Sequence, residues 1–187
     1  MLKDLVLKNR SIRRFKEEKK IDRKTLEELI DFARITPSAA NLQPLKYLIF
    51  GNEGNNKIFP YTSWAGYIKD WDGPEKGERP AAYIVVVGDR EISKNYWVDP
   101  GIAMQTMLLR AVEKGINGCI LGAIDKKGIR NKIELDERYD ILYVVALGYP
   151  AEEVVLEKCT DDDIKYWRDN DNLHHVPKRE LEDIILN

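Results

Sequence analysis

The chain has 187 residues, 43% of them hydrophobic, enough for one domain with a buried core. Its 30 basic and 32 acidic residues leave a formal net charge of −2, which argues against a dedicated nucleic-acid binder. Two cysteines forty residues apart, Cys119 and Cys159, suggest neither a disulfide framework nor a metal site, and no apolar run approaches the ~18 residues needed to span a bilayer. The N-terminus lacks a secretory signal pattern, so a soluble cytoplasmic protein is expected.

Residues 2 to 8 read as a short amphipathic helix carrying Leu2, Leu5 and Val6. A cationic knot follows, "RSIRR", with Arg10 and Arg13, or Arg10 and Arg14, placed to face one way on a helical turn. Guanidinium groups grip phosphate in a bidentate fork, and Ser11 adds a hydroxyl and a backbone N–H. The bland alternative is an exposed basic turn paired with Glu17 and Glu18. Asp22 is a good N-cap for a second helix with Leu26, Leu29, Ile30 and Ala33 on one face, ending before Pro37.

The turn "PSAANLQP", residues 37 to 44, offers amide and hydroxyl groups suited to a heterocycle with alternating donor and acceptor edges. Equally, its Ser and Asn could satisfy local backbone groups. Tyr47 to Phe50 reads as a strand. Residues 53 to 80 read as irregular to weakly helical, with Trp64, Tyr67 and Trp71 near helical spacing and "DGPEKGERP" as a mobile loop. These aromatics could cover a site as a lid for flat substrates or simply pack a peripheral helix.

Ala81 to Val87 is the clearest strand, apolar enough to be buried on both faces. Asp99-Pro100 opens a long helix, apolar over much of its circumference, that Gly115 ends; such a helix lies in a core or an interface. "INGCILGAI" is a strand whose small residues allow backbone to approach a ligand. Lys126 to Ile133 is a short helix, and "DILYVVALGYP" the last core strand. The chain is read as one domain, 1–150 forming the core. Residues 151–187 are too poor in apolar residues for a core of their own, so they wrap the domain or a partner. His174 and His175 point to opposite faces of an extended segment, and no ligand set completes a metal site. Connections too short for repeated crossovers favour an α+β fold with a central sheet flanked by helices.

The order of "RSIRRF", "PSAANLQP", "GCILGAI", "ALGYP" and "VPKRELEDII" resembles the FMN-dependent nitroreductase family over essentially the whole chain. The resemblance implies a mostly antiparallel sheet and an intertwined homodimer, with residues 151–187 exchanged onto the partner and FMN at the interface. It implies that Arg10 and Ser11 hold the FMN phosphate with Lys178 and Arg179. Arg13 lies toward the flavin pyrimidine and ribityl chain. Ser38, Ala39 and Asn41 line the flavin, Gln43 reaches across the interface, and Leu121 and Gly122 bring backbone N–H groups to the ring. Asn9 departs from the pattern, standing where many members place another arginine.

The implied activity is transfer of hydride from NADH or NADPH through flavin N5 to a nitroaromatic, quinone or similar small acceptor. The absence of a GxGxxG fingerprint fits a nicotinamide that binds transiently over the flavin. Trp64, Tyr67 and Trp71 would be the substrate lid. The alternatives are a relative using the same flavin site for reductive dehalogenation or flavin fragmentation, and a non-catalytic flavin-binding protein.

Overall fold

A computed structural model describes the backbone of residues 1–187 and every side chain except those of Asn52 and Glu53. The architecture is built on a four-stranded antiparallel sheet of β1 (Leu45–Gly51), β2 (Ala82–Asp89), β3 (Asn117–Leu121) and β4 (Tyr139–Gly148), in the order β1-β2-β4-β3. Every residue of β2 is buried, as expected of a central strand covered on both faces. β2 and β4 pair from Ala82–Leu147 to Asp89–Tyr139, with one irregularity between Val86 and Val87.

Alternation along the strands divides the core into two layers. On one face Ile84, Val86, Val145 and Leu147 meet α2 (Arg23–Arg34) and α3 (Asp99–Glu113). On the other, Tyr83, Val85, Val87, Val144 and Ala146 meet Ile12, Phe15, Ile58, Trp64 and Ile129 of α4 (Lys126–Ile133). Asp22 caps α2, its side chain accepting from the Thr25 N–H, and Leu26, Leu29 and Ala33 are buried as the periodicity requires. α4 has the expected bounds, capped by Asp125 and ended by Glu134 in the left-handed region. α3 turns Ala103, Met104, Met107, Leu108 and Ala111 into its own core. α1 (Leu2–Lys8) lies beside α3 but buries none of its residues, and Leu2, Val6 and Leu7 are exposed.

Two local expectations are corrected. Residues 10–15 do not form a helical turn. They run extended, Ser11 bridging Gly118 and Phe15 bridging Pro150, because Ile12 and Phe15 are needed as anchors in the lower core layer. Residues 64–71 form no helix either: only short 3-10 turns, Asn52–Lys57 and Phe59–Tyr61, precede a chain of turns.

Residues 151–178 add a second, three-stranded sheet, β5 (Val154–Lys158), β6 (Trp167–Arg168) and β7 (His174–Lys178), in the order β5-β7-β6. This sheet docks on the N-terminal segment of its own chain: the Ala151 N–H donates to the Arg14 carbonyl and Glu152 accepts from the backbone N–H groups of Arg13 and Arg14. Its polarity explains the low apolar count of the tail. Beyond it, Leu181, Ile184, Ile185 and Leu186 are exposed.

Candidate functional site

Topology sets the expected site residues at two corners of the main sheet. Ser11 pairs alongside β3 at Gly118, which is level with Leu147, Ala82 and Gly51 on the successive strands. The turn 37–44 enters the opposite end of β1, at the opposite edge. With strands about 4.8 Å apart and about 3.3 Å per residue, four spacings across and six residues along separate Ser11 from Leu45 by roughly 25–30 Å. On one chain the two corners therefore stand well apart.

At the first corner, the arginines do not pair with Glu17 and Glu18. Glu17 accepts instead from the N–H groups of Gly77 and Arg79, and the Phe15 N–H donates to the Glu78 carbonyl, so the stretch expected to be a mobile loop is tied to the N-terminal segment. Arg10 is half-buried and makes one hydrogen bond, from Nη2 to the Val6 carbonyl at 2.6 Å. Its buried Nε has no partner, and burial pushes its guanidinium below the ordinary value. Arg13 has no carboxylate on its guanidinium; Nη1 donates to the Ser11 carbonyl at 3.2 Å and lies 3.4 Å from Nε2 of His174. Arg14 is by contrast structural, paired with Glu78 at 3.2 Å and bonded to Asn172 at 3.0 Å.

Among the described residues neither cation has a carboxylate partner, and a half-buried cation without a counter-charge is costly unless an anion is bound to it. Cys119 lies near Ser11 and Arg13, and burial pushes its thiol up, away from nucleophilic use.

Residues beyond the expected set organise this corner. Glu152, its side chain 2% exposed, receives Arg13 N, Arg14 N and, at 2.7 Å, Nη2 of Arg168, itself 8% exposed. His174 is buried, with Nδ1 unpartnered, and burial holds its imidazole down at about 4 despite the nearby Glu152 carboxylate. Tyr166 spreads its ring 4.9 Å from the Arg13 guanidinium and 5.0 Å from the ring of Tyr67. Nothing local in the sequence marks Glu152 or Arg168; only their place in the tail brings them here.

Of the three lid aromatics, only Tyr67 is free to serve. Trp64 is buried, packed so close to Gly73 that an added Cβ would lie 2.7 Å from its ring. Trp71 is clasped by Arg168 at 4.2 Å and Arg14 at 5.7 Å. Their near-helical spacing is incidental, since no helix forms. Lys178 and Arg179 are exposed at the distal end of β7, four residues beyond His174, or about 13 Å at the strand rise. Arg179 pairs there with Asp162, and neither residue makes a hydrogen bond or ion pair with Arg10, Ser11 or Arg13.

The second corner is strained. Ala40, Asn41 and Gln43 have φ of 49°, 54° and 52°. For Ala40 and Gln43 such left-handed backbone costs roughly 1–3 kcal/mol each, and strain of this kind gathers at functional sites. Asp99, first residue of α3, over-determines the turn: it accepts from the Ser38 hydroxyl at 2.6 Å and the Ala39 N–H at 3.0 Å. The Ser38 hydroxyl also accepts from the Gln43 N–H at 2.9 Å, so its one proton is committed to holding the turn. Asn41 and Gln43 remain exposed, joined by Gln43 Nε2 to Asn41 Oδ1 at 3.1 Å. A cavity of about 600 Å³ lies beside the turn, reaching Ser38, Gln43, Tyr47 and Asp99.

Leu121 ends β3 with its side chain in the lower core layer, and Gly122 follows it at the surface. A Cβ at Gly122 would make only ordinary contact, 3.6 Å from Tyr143, so packing does not demand glycine there. No group of three His, Cys, Asp or Glu side chains suited to a metal exists among the described residues, and no helix among them is long and apolar enough to cross a membrane.

A fold of this topology with two polar half-sites defines a class. The model of the nitroreductase family matches residues 6–149, and the chain belongs to that family. A protein of Methanothermobacter thermautotrophicus, provisionally named NADH dehydrogenase/NAD(P)H nitroreductase, is 28% identical over 162 residues, covering 82% of this chain and 80% of that one. An iodotyrosine deiodinase of Thermotoga neapolitana is 25% identical over 170 residues, covering 80% and 89%. Among solved structures, a provisionally named nitroreductase of Exiguobacterium sibiricum in complex with FMN matches with a TM-score of 0.68 at 18% identity, covering 90% of this chain and 97% of that one.

Proposed function

We propose that the protein is an FMN-dependent NAD(P)H oxidoreductase that reduces a small nitroaromatic, quinone or similar acceptor and works as a homodimer. The observation that carries this reading is the half-buried Arg10, whose buried Nε has no partner among the described residues, next in sequence to Ser11 and followed by Arg13, which likewise has no carboxylate partner among them. Arg10 and Ser11 fit a phosphate monoester: the guanidinium supplies charge-assisted hydrogen bonds, and its orphaned Nε is the atom such a ligand would satisfy.

The polar turn 38–43 fits the other end of the cofactor but lies at the far corner of the sheet. A second copy is therefore required to complete each site. The unburied apolar residues of α1 and of the last seven positions are available for that pairing. Since residues 151–178 sit on their own chain, exchange between subunits would involve residues 179–187.

When bound, FMN would accept hydride from a reduced nicotinamide and deliver electrons to the acceptor, chemistry that belongs to the cofactor. The chain's part is binding and field. Arg10 and Ser11 would hold the phosphate. Arg13 would face the polar edge of the ring system, where its fixed positive charge offsets electron density gained on reduction. The backbone at Leu121 and Gly122 would supply donors without side-chain bulk. Tyr67, with Tyr166, would offer flat surface to the substrate.

Purified protein should carry a yellow absorbance band that bleaches anaerobically with NADH or NADPH and recovers with a nitroaromatic or quinone. Arg10→Ala should weaken FMN binding about 10- to 100-fold while the fold persists, the loss expected for one charged hydrogen bond of about 1.5–3 kcal/mol. Unchanged affinity in a titration followed by flavin fluorescence would remove the phosphate site from this corner. The similarity to iodotyrosine deiodinase favours reductive dehalogenation as the second reading. Halotyrosine turnover with no nitroaromatic or quinone turnover would select it.

A further inference from the structure

We propose that His174 is a positioning residue for the cofactor site, holding Arg13 so that its Nε–Nη2 fork is presented to the ligand. The inference rests on the reading above, in which Arg13 contacts the flavin. Nη1 carries two protons. One points to the Ser11 carbonyl at 3.2 Å and the other to Nε2 of His174 at 3.4 Å. Nε and Nη2, the edge that forms bidentate contacts, have no acceptor among the described residues.

The contact works only with a neutral imidazole, because a protonated Nε2 would meet the guanidinium as donor against donor. The surroundings enforce neutrality. Arg13 and Arg168 approach from the N-terminal segment and β6, and Glu152 is already satisfied by Arg168 and two backbone N–H groups. His175 turns away to Glu157 and Asp169. With Nε2 accepting, the proton resides on Nδ1, the buried atom that has no partner. Tyr166 closes the arrangement, its ring 5.3 Å from that of His174 and over the same guanidinium.

The test is a double-mutant cycle in the full-length protein, read by FMN dissociation constants. His174→Leu should weaken FMN about tenfold. His174→Gln, which can offer a carbonyl oxygen near the place of Nε2, should restore most of that loss. In an Arg13→Ala background, His174→Leu should have no further effect. If Arg13→Ala weakens FMN but His174→Leu does not, the clamp is wrong and the flavin reading stands. A tenfold loss that persists in the Arg13→Ala background also overturns the clamp, since His174 would then act through the fold alone. If Arg13→Ala itself binds FMN as the native chain does, the placement of Arg13 on the flavin fails and takes the clamp with it.

Discussion

The two sheets of this molecule are held together by different physics. The four-stranded sheet is apolar on both faces, β2 being buried from end to end. The three-stranded tail sheet has no such core. Its joints are Glu152 with Arg168, and His175 bridging Glu157 and Asp169 while stacked on Trp167 at 4.0 Å. Apolar burial is nearly indifferent to pH and salt, whereas buried charges and imidazoles are not. On the proposed reading, in which the tail positions Arg13 at the cofactor, folding and cofactor binding should therefore answer to different variables.

The sharpest way to separate the two sheets is Glu152→Ala. It strands Arg168 without its counter-charge and frees two backbone N–H groups, at an expected cost of about 3–5 kcal/mol. Hydrogen exchange should show tail amides losing protection while β2 and β4 keep theirs; equal loss in both would mean the tail is integral to the core. Gly118→Ala attacks the main sheet instead. Its Cβ would lie 2.3 Å from the Ala146 carbonyl and 2.9 Å from Leu108, so a loss of about 3 kcal/mol in global stability is expected by denaturant melts.

The smallest effect is the pH response of the tail, which has two limbs. His174 has a lowered folded value of about 4, so its contribution is complete above the ordinary imidazole range and is lost as pH falls toward 4. His175 has a raised folded value, owing first to Glu157 and also to Asp169. Its contribution is complete below the ordinary imidazole value and is lost as pH rises through the raised one. Tail protection should peak between those limbs, and replacing either histidine by Gln should flatten one limb only.

Much of this architecture was legible where local chemistry and burial agree. Asp22 caps its helix as expected, the short helix Lys126–Ile133 has the expected bounds, and "AAYIVVV" could be little but a buried strand. The resemblance to the nitroreductase family agrees with the family match over residues 6–149. What escaped depended on distant pairing. Ile12 and Phe15 have helix-like spacing, yet they are drawn into an extended path by Gly118 and Pro150, more than a hundred residues away. The tail strands escaped because ion pairs leave no periodicity, and Trp64 escaped because a buried aromatic and a lid aromatic look alike in one dimension.

The separation of the two polar corners has a consequence for stoichiometry. A twofold assembly that joins the knot of one copy to the turn of another makes the reciprocal junction as well, so ligand count equals chain count and no half-site is left over. In the proposed dimer, mass action would tie cofactor retention to protein concentration: dilution below the dimer dissociation constant should empty both positions together.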